Sequence, residues 1–140
     1  MHDRRMLEEL PRQEALRLLA SVPMGRVVFT QRALPAIRPV NHILDGGEVV
    51  IRTNLSSSVA TTVGHQPEAV VAYEADDIDT DSRTGWSVVI TGVARLVRDP
   101  LDRARYESLL RPWVENRGDC VLRIRPDIAT GFRVTPYQGN

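Results

Sequence analysis

The residues with the clearest potential for chemistry lie in a short hairpin-like stretch, AIRPVNHILDGGEVVIRT at positions 36–53. Its Asp45-Gly46-Gly47 segment is a strong turn signal between two runs rich in Ile and Val, and it predicts a β-hairpin. A hairpin that served only a core would place an apolar residue at every second position of one face. This hairpin instead carries polar side chains on both arms: Arg38, Asn41, His42 and Arg52. These groups therefore need a partner other than an apolar core.

A serine-rich turn follows the hairpin directly. It places a guanidinium, several hydroxyls and the N–H groups of a predicted helix start within one turn of chain: Arg52, Thr53, Asn54, Ser56, Ser57 and Ser58. This set of groups is suited to binding a phosphate monoester. The same residues also fit a helix N-cap with redundant serines, and their spacing does not decide between the two interpretations.

A third candidate is the strand predicted over GWSVVITGVARL, which begins with the pair Trp86-Ser87. Alternation assigns one face to Ser87, Val89, Thr91, Val93 and Arg95. The opposite face is a core stripe formed by Trp86, Val88, Ile90, Gly92, Ala94 and Leu96. The Ser/Thr face and the Trp86-Ser87 pair are compatible with a site and also with ordinary edge-strand chemistry.

Other kinds of chemistry lack the residues they need. The histidines at positions 2, 42 and 65 show no paired spacing, so no metal site is expected and His42 is interpreted as a hairpin residue. All eighteen basic residues are arginines, which excludes a Schiff-base lysine. A single cysteine, Cys120, excludes an intrachain disulfide, a zinc finger and an iron–sulfur cluster. The glycine-rich signatures of phosphate-loop and dinucleotide-binding proteins are missing as well.

Composition narrows the class of protein. A chain of 140 residues with 42% apolar residues predicts one domain, spanning positions 1–140, with a real core. The formal net charge of zero argues against binding to nucleic acid or to an anionic membrane. The charged N-terminus lacks the apolar segment of an export signal, and no run reaches the roughly 18 apolar residues that span a bilayer. We therefore expect a cytoplasmic protein.

Periodicity predicts few helices and many strands. One helix is predicted over 12–22 with a stripe of Ala15, Leu16, Leu19 and Ala20, a short one over 56–66, and a surface helix over 99–113 with Leu101, Ala104 or Arg105, and Leu109 on one face. About six strands are predicted over 25–30, 34–43, 48–53, 69–75, 86–97 and 121–135, the last interrupted at Pro126-Asp127. Hairpin-like spacing favours a mainly antiparallel barrel, closed or nearly closed, with a few short helices.

Two stretches, RPVNHILDGGEVVIRTNLSSS and EADDIDTDSRTGWSVVITGVARLV, together resemble the small actinobacterial branch of the pyridoxamine 5'-phosphate oxidase-like flavoproteins. The resemblance implies a mainly β protein with short helices, built as the six-stranded antiparallel split β-barrel that binds FMN. It also implies a homodimer with flavins in clefts between the subunits. The implied activity is that of an FMN-dependent oxidoreductase acting on an unknown small-molecule substrate, with no particular side chain assigned to catalysis.

Carried over residue by residue, the resemblance places the strand Arg38, Pro39, Val40 and Asn41 along the flavin ring and ribityl chain. Arg52 and Thr53 would face the ribityl and phosphate, and Ser56, Ser57 and Ser58 would complete the phosphate turn. Trp86 and Ser87 would approach the ring from the partner subunit. The chain departs from the family by lacking the lysine that many relatives carry near Ser58. It also lacks the C-terminal Trp and Arg pattern of true pyridoxamine-phosphate oxidases, so oxidation of vitamin B6 is not expected.

Two alternatives remain open from the sequence. A deazaflavin (F420) reductase would use a related barrel and extra arginines such as Arg26 or Arg32 for its more anionic tail. A non-catalytic module that binds flavin or haem would, in the haem case, need His42 or His65 as an axial ligand.

Overall fold

A computed structural model describes residues 5–54, 69–111 and 119–136. In these ranges the chain forms eight strands and two helices. The strands are β1 (Arg5–Glu9), β2 (Met24–Gln31), β3 (Leu34–Asp45), β4 (Glu48–Asn54), β5 (Ala69–Asp79), β6 (Thr84–Leu96), β7 (Asp119–Ile124) and β8 (Ile128–Pro136). The helices are α1 (Arg12–Ala20) and α2 (Pro100–Leu109).

Six of the strands close an antiparallel barrel in the order β6-β5-β2-β3-β4-β7. Closure occurs where β7 pairs with the last residues of β6, from Ala94 opposite Ile124 to Leu96 opposite Leu122. The first half of β6 pairs instead with β8, which carries β1 on its other side. Strand β6 therefore divides its pairing between two neighbours, and the predicted split barrel, mainly β with short helices, is confirmed.

The β3–β4 hairpin forms at the turn that the sequence predicts. Asp45 pairs with Glu48, and the two residues between them, Gly46 and Gly47, have φ values of 60° and 79°. Two successive positive φ angles make the tight turn whose twist matches that of the flanking strands, and glycine adopts them at little cost. This turn fixes the register in which the polar residues of both arms face their neighbours.

The predicted core stripe of β6 is also confirmed, since Trp86, Val88, Ile90 and Ala94 are all buried. Helix α1 packs on β8 and β6 and buries Ala15, Leu18 and Leu19. The predicted stripe was therefore partly wrong, because Leu16 is half-buried and Ala20 is exposed. The helix is turned so that Ala15 faces Gly131 of β8, where the absence of a side chain lets the helix approach the sheet.

Two parts of the sheet differ from the sequence prediction. Strand β1 was missed because it is a mostly exposed edge strand without the alternation that marks a half-buried one. The C-terminal run separates into β7 and β8 at Pro126-Asp127, where the chain turns from one neighbour of β6 to the other. The helix predicted over 56–66 lies outside the described residues.

Helix α2 begins as predicted, with Pro100 in its first turn and the Asp99 carboxylate accepting a hydrogen bond from the Leu101 N–H at 3.3 Å. It is a surface helix as predicted, and Leu101 and Leu109 of the predicted stripe are 81% and 55% exposed. The residues that pack on the outside of the barrel are Tyr106 and Leu110, which join Val50 and Val121 in a second small apolar cluster. The contact surface is set by the strands beneath the helix, which the helical period alone does not reveal.

The two described helices, of nine and ten residues, are too short to cross a bilayer.

Barrel closure makes Gly92 of β6 intolerant of any side chain. A Cβ placed on Gly92 would lie 1.5 Å from the carbonyl oxygen of Arg125. We expect Gly92→Ala to lower the free energy of unfolding by at least about 2 kcal/mol, because the backbone of the crossing segment must move. Urea denaturation measures this loss. The neighbouring Thr91→Ala is the control, and an equal effect of the two substitutions would contradict the close approach.

Candidate functional site

A pocket of about 400 Å³ lies between β3 and the C-terminal end of α2. We call it the α2 pocket. Its volume is within the range of small-molecule sites. Most of the side chains that line it are half-buried or exposed, so the pocket is open to solvent. Its lining is mainly apolar with an amide, an imidazole and one guanidinium: Pro23, Asn41, His42, Ile43, Leu109, Leu110 and Arg111.

Asn41 joins the two sides of the α2 pocket. Its side-chain amide donates a hydrogen bond to the main-chain oxygen of Arg111 at 2.7 Å. This contact holds Arg111, two residues beyond α2, against the strand that the resemblance places along a cofactor. Arg111 was not among the predicted site residues, because its proximity to β3 depends on how α2 packs on the barrel. The helical pattern of the sequence carries no signal for that contact.

Arg52 contacts the same end of α2. One terminal nitrogen of its guanidinium donates to the main-chain oxygens of Glu107 and Leu110, both at 2.9 Å. The last carbonyls of a helix lack partners within the helix and form its negative dipole end, so a cation there is favourable. Arg52 therefore anchors α2, and a phosphate contact by Arg52 stays a prediction.

His42 is part of the core. It is 3% exposed, its Nε2–H donates to the Leu19 main-chain oxygen at 2.8 Å, and its Nδ1 accepts from the Tyr73 hydroxyl at 2.5 Å. The carbonyl can only accept, which fixes this tautomer. Burial lowers the pKa of His42 below its usual value, although the Leu19 contact opposes the shift. With both ring nitrogens engaged, His42 does not fit the role of a haem axial ligand, and His65 lies outside the described residues.

The remaining predicted residues of β3 face different surroundings. Arg38 and Pro39 are exposed, and the Arg38 guanidinium donates to the Ile37 main-chain oxygen and lies 6.0 Å from the Phe29 ring centre. Val40 packs in the main core. Only its main chain is therefore placed to meet a ligand at this strand.

The other predicted residues are not all brought to the α2 pocket. Thr53 is half-buried on β4, and Ser56, Ser57 and Ser58 lie outside the described residues. On β6, Trp86 packs in the main core whereas Ser87 points to the outside of the barrel. The pair lies on the far side of β5 and β2 from β3, so within one chain it does not approach the pocket. Its contact with a cofactor stays a prediction that requires a second subunit.

A polar network holds α2 against the β3–β4 turn. The Tyr106 hydroxyl donates to the Asp45 carboxylate at 2.5 Å, and Arg105 pairs with that carboxylate at 2.8 Å. These two donors, Tyr106 first, lower the pKa of Asp45. Arg123 of β7 donates to the Tyr106 hydroxyl and to Glu48. The helix that forms one wall of the pocket is thus fixed to the hairpin that forms the other.

The outside of the barrel presents a broad sheet face formed by β3, β2, β5, β6 and β8. One row across it is Ile37, Val28, Ala72, Thr91 and Ile128, and the next is Pro39, Arg26, Glu74, Val89 and Thr130. We call this surface the outer sheet face. Ile37, Val70, Val89, Ile128 and Phe132 are exposed on it. Burial, reinforced by the neighbouring Asp76, raises the pKa of Glu74 to about 7, with Arg26 opposing the shift.

A second cleft, of about 220 Å³, lies near the start of α2 and has balanced charges. Its ionic lining is Glu48, Arg95, Arg98, Asp99, Asp102 and Arg123. Within the described ranges, no group of three or more His, Cys, Asp or Glu side chains is placed to hold a metal ion. Apart from Leu96 and Val97 this cleft is lined by charged residues, whereas the lining of the α2 pocket is mainly apolar.

The family model for pyridoxamine 5'-phosphate oxidase matches residues 11–133 of this chain. The chain belongs to this family. The match spans both helices and seven of the eight strands in whole or in part, and includes every described residue of the α2 pocket.

Individual relatives agree with this membership. The uncharacterised protein Rv0080 of Mycobacterium tuberculosis is 56% identical over 132 residues, covering 93% of this chain and 87% of its own. A Corynebacterium glutamicum structure, provisionally named pyridoxamine 5'-phosphate oxidase, is 34% identical with a TM-score of 0.73, covering 94% and 96% of the two chains. An FAD-binding protein of Mycobacterium smegmatis is 32% identical with a TM-score of 0.71, covering 92% and 98%.

The anchoring role of Arg52 is tested by its removal. Arg52→Ala loses charge-assisted hydrogen bonds to two helix carbonyls, so we expect the free energy of unfolding to fall by about 2 kcal/mol. Chemical denaturation of the ligand-free protein measures this change. Arg95→Ala, an exposed arginine on β6, is the matched control and is expected to have almost no effect. If Arg52→Ala also has no effect, the contacts do not stabilise α2.

Proposed function

We propose that this protein is an FMN-binding oxidoreductase that acts on a small-molecule substrate as a homodimer. The observation that carries the proposal is the α2 pocket, where apolar walls meet a few polar groups on a chain of this family. Pockets that bind planar cofactors combine a mostly apolar lining with a small number of placed polar groups. The FAD-binding protein of Mycobacterium smegmatis, which shares this fold at 32% identity, supports a flavin as the ligand.

The side chains that line the α2 pocket are of the chemical types that a flavin requires. Pro23, Ile43 and Leu109 offer apolar surface for an aromatic ring system, and Asn41 offers an amide for its polar edge or chain. A bound flavin would supply the hydride or electron transfer. The chain would bind it, orient it and limit its access to water. The serine turn at Ser56, Ser57 and Ser58 remains the sequence-based candidate for part of the phosphate contact.

FAD is the second candidate cofactor, because of the same Mycobacterium smegmatis relative. The deazaflavin alternative has less support from the described residues. Arg26, which would favour its anionic tail, already pairs with Glu74 at 3.1 Å and with Asp76 at 3.8 Å. An arginine held by two carboxylates is poorly suited to attract a further anion.

Spectroscopy and mass spectrometry of the purified protein test which cofactor it binds. We expect the yellow visible absorbance of an oxidised flavin, and mass spectrometry of the ligand released by denaturation should give the mass of FMN. A protein that purifies without ligand is tested by titrating FMN and following the quenching of flavin fluorescence. If the released ligand has the mass of FAD or of F420, the protein binds that cofactor instead of FMN. Absence of any flavin binding in both experiments would refute the proposal.

A homodimer is proposed because the outer sheet face leaves apolar side chains in water. Val70 and Ile128 are 63% and 60% exposed, and large exposed apolar patches mark interfaces. Its central charges are nearly balanced, since Arg26 lies beside Asp76 and Glu74 has a pKa of about 7. Asn41 and Pro39 lie on the same strand, so this face continues toward the α2 pocket. A second copy seated on it would bury on the order of 2,000 Å² and add a wall to the pocket.

The dimer is tested with one charge on the outer sheet face. Light scattering should give the wild type a mass of twice the 15.7 kDa chain. Ile128→Arg should shift the mass toward a monomer and weaken flavin binding, because a guanidinium would have to be desolvated in the interface. Leu101→Arg is the control, since Leu101 is 81% exposed on α2, away from this face. Dimers of unchanged strength in both variants would show that the interface lies elsewhere.

A further inference from the structure

Arg111 differs from the other arginines near the β3–β4 hairpin in having an uncommitted side chain. In the part of the chain that the structure describes, its guanidinium makes no hydrogen bond or ion pair. By contrast, Arg52 is bound to helix carbonyls, Arg105 to Asp45, and Arg123 to Glu48. Arg111 is thus a cation at a pocket rim without a protein partner among the described residues.

The main chain at Arg111 is nevertheless held in place from two sides. Asn41 donates to the Arg111 carbonyl at 2.7 Å, and Arg52 donates to the carbonyl of the preceding Leu110 at 2.9 Å. Two side chains from neighbouring strands are therefore used to position one residue. A main chain that is already fixed does not have to be ordered when the side chain binds a ligand, which is the general advantage of preorganisation.

The surroundings of Arg111 leave its charge uncompensated. The other groups of the α2 pocket are apolar side chains, an amide and the His42 ring, which burial keeps toward its neutral form. The negative dipole end of α2 would oppose an anion here, but Arg52 already occupies its carbonyls. The acidic side chain in the last turn of α2, Glu107, pairs with Arg103 at 2.8 Å. The cleft at the start of α2 differs in matching three arginines with three carboxylates.

We propose that Arg111 supplies the positive charge that binds the phosphate of the flavin nucleotide, and that Arg52 and Asn41 are positioning residues that hold Arg111 at the pocket. The chain has no lysine, so its permanently charged side-chain cations are all arginines. An uncommitted guanidinium beside apolar walls matches a ligand with an apolar ring at one end and a dianionic group at the other. This proposal rests on the proposed flavin binding.

The test compares FMN with riboflavin, which has the same ring and lacks the phosphate. Arg111→Ala should weaken FMN binding at least about tenfold, the loss expected for one charge-assisted contact, and leave riboflavin binding unchanged. Arg111→Lys should restore part of the FMN affinity. Added salt should weaken FMN binding to the wild type more than to Arg111→Ala. Arg98→Ala, an exposed arginine in the balanced cleft, is the control and should leave both affinities unchanged.

The outcomes separate this proposal from the proposed function. If the wild type binds FMN and Arg111→Ala binds it equally well, flavin binding stands and the role of Arg111 is overturned. An equal loss of FMN and riboflavin affinity would also overturn it, since the residue would then shape the pocket. If the wild type binds neither ligand, both proposals fail. Thermal unfolding of Arg111→Ala should match the wild type, whereas that of Arg52→Ala should fall, as expected for the positioning residue.

Discussion

The close approach of two backbones at Gly92 is the constraint on which the rest of the structure depends. Gly92 has no side chain, so the Arg125 carbonyl can lie where a Cβ atom would otherwise be. This close approach lets β6 pair with β8 along its first half and with β7 at its end. That division closes the barrel and leaves β8 and β1 as an extension beside it. The extension widens the outer sheet face and carries α1 on its inner side. One missing methyl group thus permits both the closed core and the broad exposed sheet.

The polar residues of the β3–β4 hairpin have three different partners instead of one. His42 bonds to Leu19 and Tyr73 within the core, Arg52 bonds to the end of α2, and Asn41 faces the α2 pocket. Each satisfies a group that would otherwise be unpaired, which is the requirement for polar side chains near a core. The sequence correctly marks the hairpin as unusual. It cannot assign the partners, because they belong to distant segments: a carbonyl of α1, the Tyr73 hydroxyl of β5, and carbonyls in and just beyond the end of α2.

Local signals were enough to predict most of the fold. The Gly46-Gly47 turn, the alternation along β6 and the Asp99-Pro100 helix start each depend on neighbours in the chain, and each was confirmed. The misses share a different cause. The buried faces of α1 and α2, the exposed edge strand β1 and the position of Arg111 are set by contacts between segments far apart in sequence. For the same reason the sequence does not reveal that, of the predicted cofactor residues on β3, Asn41 lines a pocket whereas Val40 packs in the core.

The position of α2 connects stability to the candidate site. This helix buries little apolar surface, chiefly Tyr106 and Leu110, so polar contacts carry much of its attachment. They act on the second half of the helix and the residues just beyond it, with Asp45 and Arg123 holding Tyr106 and with Arg52 and Asn41 holding the chain at Leu110 and Arg111. A helix held in this way keeps one wall of the pocket in register with β3 without filling the space between them. Apolar packing at the same place would stabilise the helix equally well, but it would close the pocket.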